Sequence, residues 1–538
     1  MISKTKFRIE GSIVLITCAA LSALAAYFSW RLHALLNYGD AVAHLHIARR
    51  LFDSHQPGFE QLGSVWLPVP HIVLLPFVTV YAWWANGIAG LIPSSLTYLV
   101  SCLALYLLAR KWMARIPASI ALLFFALNPN LLYLQTTAMT EPLFLCEILC
   151  TVLFLVEWRM ALDEAPERCQ RLQWVIALLL VAAILTRYDG WILALLAWTA
   201  MGMTLLRRDQ LTRGFWLASA VVVAAPIFWF AYNAIAFGDW LAFIRGPYSA
   251  KAIEMRTMTP GSGPPHPGWH NPWVALLFYV KSAMLDATCM SWGSTMVIMV
   301  LLGMRWALKD MGRKGYRWSL LLWLPVPFYA YSVAWGSVPI FIPIWWPHSY
   351  YNTRYGMELL PAFALSLGFA AHGVIRVWQK SRLSFRITLI APMFLLLGLN
   401  AMHMLKEGPL TYIEGTKNVE SRRTYEATIP PALRAALATH PGGEVLMNSS
   451  YNPQLIALTG IPLRQTINEG DFHTWENALS NPADRAAFVL AFDGDQVDQA
   501  VHAHPANLEL IGRFSAPWQP SASLYRSTSP AINKAQQR

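Results

Sequence analysis

An aspartate, a glutamate and two arginines stand where apolar stretches of this sequence end, and together such side chains can take up a proton and hold an anion. The aspartate lies in "NYGDAVAHLHIARR" at 37 to 50. If that stretch is helical, Asp40 and His44 share a face at i, i+4 while His46 points away. The spacing suits a carboxylate steered by an imidazole and argues against a His44/His46 chelate. Arg49 and Arg50, which follow, could meet phosphates or lipid headgroups.

The glutamate, Glu141, opens an apolar run in "TTAMTEPLF". Thr140, Glu141 and Pro142 also make a good helix start, which is a complete structural explanation by itself. The arginines belong to two Thr-Arg-Tyr triplets, "LTRYDGW" at 185 to 191 and "NTRYGMELLP" at 352 to 361. A guanidinium donates two parallel hydrogen bonds to a phosphate and stays charged, although snorkelling to headgroups would explain either arginine alone. Two arginines beside two acids at one membrane level point to a polar pocket. Glu147 and Glu358 fall deeper, with their roles open, and an interfacial aromatic belt explains most of His348, Tyr350 and Tyr351.

The elements that must position these residues are membrane helices. Hydrophobic residues make up 56% of the 538 positions and charged residues 13%, the balance of a polytopic membrane protein. Uncharged runs of about 20 residues, the length that crosses a bilayer, lie at 11 to 30, 91 to 109, 116 to 135, 214 to 236, 287 to 304, 318 to 338 and 387 to 404. Shorter or interrupted runs lie at 142 to 156, 172 to 186, 190 to 206 and 355 to 375, for eleven expected spans. The first run is longer than a signal peptide's core and reads as an uncleaved anchor.

The net charge of +11 reports topology, not a nucleic-acid partner. Residues 405 to 538 hold 11 Lys+Arg and 13 Asp+Glu, leaving 30 and 17 for the rest. Much of that excess sits in six short clusters after every second span: Lys4/Lys6/Arg8, Arg110/Lys111/Arg115, Arg159/Arg168/Arg171, Arg207/Arg208/Arg213, Arg305/Lys309/Arg313/Lys314/Arg317 and Arg376/Lys380/Arg382/Arg386. The positive-inside rule makes these clusters cytoplasmic. The N-terminus is then expected inside and the C-terminus outside, in a multi-pass membrane protein.

Parity also decides "WLPVPHIVLLPFVTVYAWWANGIAGLI" at 66 to 92. If it crossed, every later basic cluster would fall outside, so it reads as a helix lying in or dipping into the outer leaflet, interrupted by Pro68, Pro70 and Pro76. The six cysteines show no disulfide framework or zinc spacing. "MTPGSGPPHPGWHNPW" in the 237 to 286 loop has no period; it is mobile or folded over a site, between helices expected at 239 to 255 and 272 to 285. From 405 the composition becomes that of a soluble α/β domain. "GGEVLMNSS" and "AAFVLAFDG" read as short buried strands, "PPALRAALATH" as an amphipathic helix, and the last dozen residues as a loose tail. The expected domains are a membrane part at 1 to 404, with a first outer loop at 31 to 90, and an external domain at 405 to 538.

An N-in first span, an aspartate early in the first outer loop, a Pro-rich amphipathic segment, then "MTEP", "TRYDGW" and "RYGMELLP" together resemble the GT-C superfamily of membrane glycosyltransferases. Its members include lipid A aminoarabinose transferases and protein O-mannosyltransferases, and the resemblance runs through most of residues 10 to 375. It implies an inverting-type enzyme that moves a sugar from a polyprenyl-phosphate donor to an external lipid, glycan or protein acceptor, among membrane lipids. It also implies Asp40 as catalytic base, Glu141 as a second catalytic acid in the pocket and Arg354 as a ligand of the donor phosphate. The aminoarabinose transferases carry a lysine just before the proline that opens the amphipathic segment, where this chain has Leu67; His71 or Arg187 is left to take that part at the phosphate. His44 and Tyr355 fall to supporting roles. Asp40 and Glu141 could bind a divalent cation or act without one. The rival class is a multi-pass transporter or lipid flippase, but the sequence lacks the related halves and midplane charges of such proteins. A non-catalytic scaffold would be expected to lack Asp40.

Overall fold

The computed structural model describes residues 4–257, 263–291, 293–309, 315–378, 383–450 and 452–535. Residues 258–262 of the Pro/Gly-rich loop, the basic residues Arg313, Lys314, Lys380 and Arg382, and the last three residues of the tail lie outside the described residues. The chain forms two compact units. One comprises Met1–Leu32, Ser64–Pro70 and Pro93–Glu414; the other His33–Gly63, His71–Ile92 and Gly415–Arg538.

The first unit is helical because its apolar runs have no water to satisfy backbone polar groups, which must then bond within each segment. Among the described residues, five helices are long and apolar enough to cross a membrane: Ile9–Arg31, Ile88–Ala109, Asp189–Leu206, Arg213–Phe237 and Thr353–Val377. The other expected stretches also form helices, among them Arg115–Ala126, Glu141–Ala161, Pro166–Ile184, Gly293–Lys309, Pro325–Trp335 and Leu383–Glu407. Gly303 lets two helices touch backbone to backbone, since a Cβ there would lie 1.8 Å from the Ser366 carbonyl oxygen.

Three expected basic clusters gather at one end of this unit. Lys111 and Arg168 share Glu157, and Arg159 and Arg208 share Asp163. Arg110 pairs with Glu10 at 3.0 Å. Helices run from these basic ends to the turns that carry Glu141 and Arg187, so these basic residues and those two site residues occupy opposite helix ends. A helix of about 20 residues separates them by roughly 30 Å.

Two expectations change. The 66 to 92 stretch is broken, but not by its prolines: Pro68 and Pro70 start the Pro68–Val78 helix and Pro76 lies inside it. The chain leaves the helix at Thr79 and Val80, re-enters at Tyr81–Asn86, and stops at Gly87 with φ 86° before Ile88–Ala109 begins. A proline in a first turn removes no hydrogen bond that the helix would make. In the 237 to 286 loop the helix expected at 239 to 255 is two, Ala242–Arg245 and Ala250–Thr257. The described remainder of the Pro/Gly-rich stretch is folded at His266, whose Nε2 lies 3.0 Å from Glu254.

The second unit contains a five-stranded sheet built from β1 (Val445–Met447), β2 (Thr466–Ile467), β3 (Phe488–Phe492), β4 (Leu508–Phe514) and β5 (Ala522–Ser527), in the order β2-β1-β3-β5-β4. β2, β1 and β3 are parallel, whereas β5 and β4 run antiparallel. Leu446, Ile467, Val489 and Ala491 bury one sheet face against Trp475, Val497 and Val501. Burial of such side chains contributes about 1.5 to 3 kcal/mol each. The two expected strands are β1 and β3. The tail is less loose than expected: β5 runs to Ser527, and Pro530–Ala535 is helical.

Segments 33–63 and 71–92 belong to this unit. Gln61 Nε2 donates to the Gly470 carbonyl at 3.0 Å, Tyr81 Oη to Ala457 at 3.1 Å, and Gln454 Nε2 to Ala85 at 2.9 Å. Arg49 is part of this packing and not a phosphate contact. It is buried, pairs with Asp53 at 2.8 Å, donates to the Val78 carbonyl at 2.7 Å and faces the Trp84 ring at 4.7 Å.

Candidate active site

In the first unit, three helix starts deliver charged side chains to one place. Glu141 is the first residue of Glu141–Ala161, Arg187 sits in the turn before Asp189–Leu206, and Arg354 lies in the 3₁₀ turn Thr353–Leu359 that leads into Leu360–Val377. Glu141 Oε1 lies 3.1 Å from Arg354 Nε and 3.5 Å from Arg187 Nη1. The two Thr-Arg-Tyr arginines thus share one carboxylate. Arg354 Nη1 also donates to Glu414 at 2.8 Å. Arg187 reaches Glu358 at 3.0 Å, Asp189 at 3.3 Å, Thr140 Oγ1 at 2.9 Å and Tyr329 Oη at 2.7 Å. Tyr355 lies against both guanidinium groups, 5.1 Å from Arg187 and 5.0 Å from Arg354.

The expected helix start is there, with Thr140 at the cap position and Glu141 and Pro142 in the first turn, but capping is not the whole account of Glu141. Thr140 makes no side-chain cap, because its hydroxyl accepts from Arg187 instead. Four carboxylates (Glu141, Asp189, Glu358 and Glu414) meet two arginines here. Buried ions are tolerated only with such pairing. One oxygen each of Glu141 and Glu358 has no hydrogen-bond partner among the described residues. These two oxygens can therefore accept hydrogen bonds, while both arginines are engaged by carboxylates. Glu147 takes a hydrogen bond from Thr186 at 2.8 Å.

The second unit holds Asp40, His44 and His71. Asp40 lies in the first turn of the Gly39–Arg50 helix, where the helix dipole favours an anion, and its side chain is half-buried. His44 Nδ1 meets His71 Nε2 at 3.0 Å, so one ring donates to the other. His46 does point elsewhere: it is buried against Trp84 at 4.9 Å, and burial, then Arg50 and Arg49, push its imidazole down to about 3. It is neutral at physiological pH.

The predicted residues thus form two groups: Glu141, Arg187, Arg354 and Tyr355 in one unit, and Asp40, His44 and His71 in the other. Sequence reasoning missed Glu414, Asp189, Tyr329 and Thr140 as members of the first group. Asp189 stood in the quoted "TRYDGW", but Glu414 follows the last span in "TYIEGTKNVE", where no spacing or motif marks it. Among the described residues no three His, Cys, Asp or Glu side chains are grouped to hold a metal ion. Glu141 faces arginines, so a divalent cation finds no ready ligand set in this cluster among the described residues.

The chain thus combines a polytopic helical membrane unit with a small α/β sheet unit. Among solved structures, the chain is similar to ArnT from Cupriavidus metallidurans bound to undecaprenyl phosphate, with a TM-score of 0.55, 13% identity, and 95% of this chain and 98% of that chain covered. The apo form of the same protein gives 0.55, 13%, 94% and 97%. The Archaeoglobus fulgidus oligosaccharyltransferase in complex with Zn and sulfate gives 0.47, 11%, 95% and 72%. At 13% identity the likeness to ArnT is one of fold alone. No family model matches the sequence, and no curated protein matches it.

Proposed function

We propose that the protein is a membrane glycosyltransferase that moves a sugar from a polyprenyl-phosphate donor to an extracytoplasmic lipid, glycan or protein acceptor. The observation that carries this reading is the fold shared along 95% of the chain with an ArnT structure that holds undecaprenyl phosphate. The acid and arginine cluster supports it, because it supplies the groups such a donor needs.

In the proposed reaction Asp40 takes the proton of the acceptor hydroxyl as its oxygen bonds to the anomeric carbon. The bond from that carbon to the phosphate oxygen breaks, and its electron pair leaves with the phosphate. Arg354 and Arg187 meet the charge that develops there, the phosphate taking over guanidinium N–H groups now given to carboxylates, and Tyr355 holds both guanidinium planes. Phosphate is a good leaving group, so Glu141 need not protonate it, unlike the acid of a glycosidase. Glu141 instead places the two arginines and offers its second oxygen to a sugar hydroxyl. His71, bonded to His44, supports the Asp40 helix and is not assigned to the phosphate.

The experiment is sugar transfer by purified protein in nanodiscs, from undecaprenyl phosphates carrying aminoarabinose, mannose, glucose or galactosamine to extracted lipids and peptides. Asp40→Asn is expected to lower transfer by about 10²- to 10⁴-fold, the usual worth of a positioned base. Transfer undiminished in Asp40→Asn removes the base assignment. Absence of transfer by wild type, with lipid movement across vesicles in its place, replaces the enzyme by a flippase.

A further inference from the structure

The helix that carries Asp40 begins without a side-chain cap. Tyr38, at the cap position, makes no side-chain cap, and its carbonyl accepts from the Val42 N–H at 3.2 Å. The Gly39 N–H is met instead by Asn418 Oδ1 at 2.7 Å, from 379 residues further along the chain. The fit is close: a Cβ at Gly39 would stand 3.2 Å from that oxygen. One turn earlier, the carbonyls of Leu36 and Asn37 both accept from Arg422 Nη2, at 3.1 and 3.0 Å. Arg422 is only 4% exposed, and its other terminal nitrogen pairs with Glu426 at 3.0 Å.

A guanidinium is removed from water at a cost of several kcal/mol unless its hydrogen bonds are replaced. Here much of the replacement comes from the backbone just ahead of Asp40. Asn418 and Arg422 stand four residues apart at the joint between the Leu410–Glu420 and Arg423–Thr439 helices. One supplies an acceptor and the other donors, so residues 36 to 39 are gripped at both of their backbone polarities.

We infer that Asn418 and Arg422 are positioning residues: the helix joint at 418 to 422 holds the 36 to 39 backbone and thereby fixes the place of Asp40. This rests on the reading of Asp40 as the base. It gives the C-terminal part of the chain a share in building the active site, beyond any binding of acceptor. A misplacement of about 1 Å in a reacting group can cost on the order of 10²-fold in rate, which is the scale of effect such a grip controls.

The test uses the full chain in nanodiscs with the donor panel above, and hydrogen exchange of the segment 34 to 46. Asn418→Ala is expected to lower kcat about 10-fold and Arg422→Met about 100-fold, each with the donor KM within about twofold of wild type. Asn418→Asp keeps the acceptor and retains most of kcat. Exchange of segment 34 to 46 rises in Asn418→Ala while other segments keep their protection, and in the Asp40→Asn background Asn418→Ala has no further effect on rate. Should Arg422→Met fail to fold, Asn418→Ala carries the test alone.

A merely structural role would lower the yield of folded protein and leave kcat per folded molecule unchanged; that result overturns the proposal, as does unchanged exchange at 34 to 46 in Asn418→Ala. If Asp40→Asn is inactive while both Asn418→Ala and Arg422→Met keep full kcat, the positioning proposal fails and the base reading stands. If Asp40→Asn keeps full transfer, or wild type has none, the base reading itself fails and takes this proposal with it.

Discussion

The two groups of charged side chains keep charge beside apolar surroundings with different shares of ion pairing and backbone hydrogen bonding. In the first unit charge is held by charge: Glu141 is shared by Arg354 and Arg187, and Glu358, Asp189 and Glu414 complete the set. In the second unit backbone shares the task with single carboxylates: Arg422 rests on two carbonyls and Glu426, Arg49 on the Val78 carbonyl and Asp53, and Asp40 is a half-buried residue at the start of a helix. The difference teaches where substitutions should act. A member of the first group is part of what keeps the unit folded, whereas the Asp40 carboxylate can change with little effect on folding and much on chemistry.

The largest effect is therefore expected at Arg354. Arg354→Met leaves Glu141 and Glu414 without their shared partner at 1% and 5% side-chain exposure. Breaking a buried pair from one side costs about 3 to 5 kcal/mol, readable as a lowered unfolding midpoint in detergent. Adding Glu141→Gln should return part of that loss, since the pair is coupled. Asp40→Asn should shift the same midpoint by no more than about 0.5 kcal/mol. An equal loss in Asp40→Asn and Arg354→Met would break the contrast between the two regions.

These two regions were also unequally legible in the sequence. Helical runs, basic loop clusters and the turns bearing Glu141, Arg187 and Arg354 are local signals, and all three residues do meet. The sharing of one carboxylate by both arginines is a tertiary fact that spacing cannot express. Glu414 was invisible because it reaches back from beyond the last span to the N–H groups of Asn352 and Thr353, at 2.9 and 3.0 Å. Near Asp40 the i, i+4 rule placed His44 and His46 on different faces, but it could not tell that His44 would turn its Nδ1 to His71. Arg49 was misread for a related reason: a charged residue next to apolar sequence looks like a membrane contact until Asp53 and the Trp84 ring are seen around it. β4 and β5 escaped because β4 is a half-exposed edge strand without a clean apolar alternation.

A pH experiment sharpens the contrast inside the second unit. His46 is held down to about 3 when folded, so the unfolded chain binds an extra proton between that value and the ordinary histidine value near 6.5. Stability is unaffected above about pH 6.5 and falls as pH is lowered through the window, at up to about 1.4 kcal/mol per pH unit. Chemical denaturation between pH 4 and 7 should show that slope in wild type, and His46→Phe, which keeps the ring against Trp84, should flatten it. An unchanged slope in the variant would mean that other groups set the acid limit.

A modest effect is expected at Asp495, an anion that accepts from backbone. Its carboxylate caps the Gln496–Ala503 helix by accepting the Asp498 N–H at 2.7 Å, while burial pushes the group up to about 6. Its sign is the reverse of that of His46: between about pH 4 and 6 the folded state binds the extra proton, so the contribution present at low pH is lost as pH rises through 6. Asp495→Ala removes the cap and should cost about 1 kcal/mol. Asp495→Asn keeps an acceptor and abolishes the titration, so it should match wild type near pH 4 and exceed it by on the order of 1 kcal/mol at pH 8. Denaturation of the three proteins at both pH values separates hydrogen bond from charge at one site. If Asn and Ala behave alike, the backbone hydrogen bond contributes nothing there, and the account of the second unit as one that fixes its charges partly through backbone would lose its simplest case.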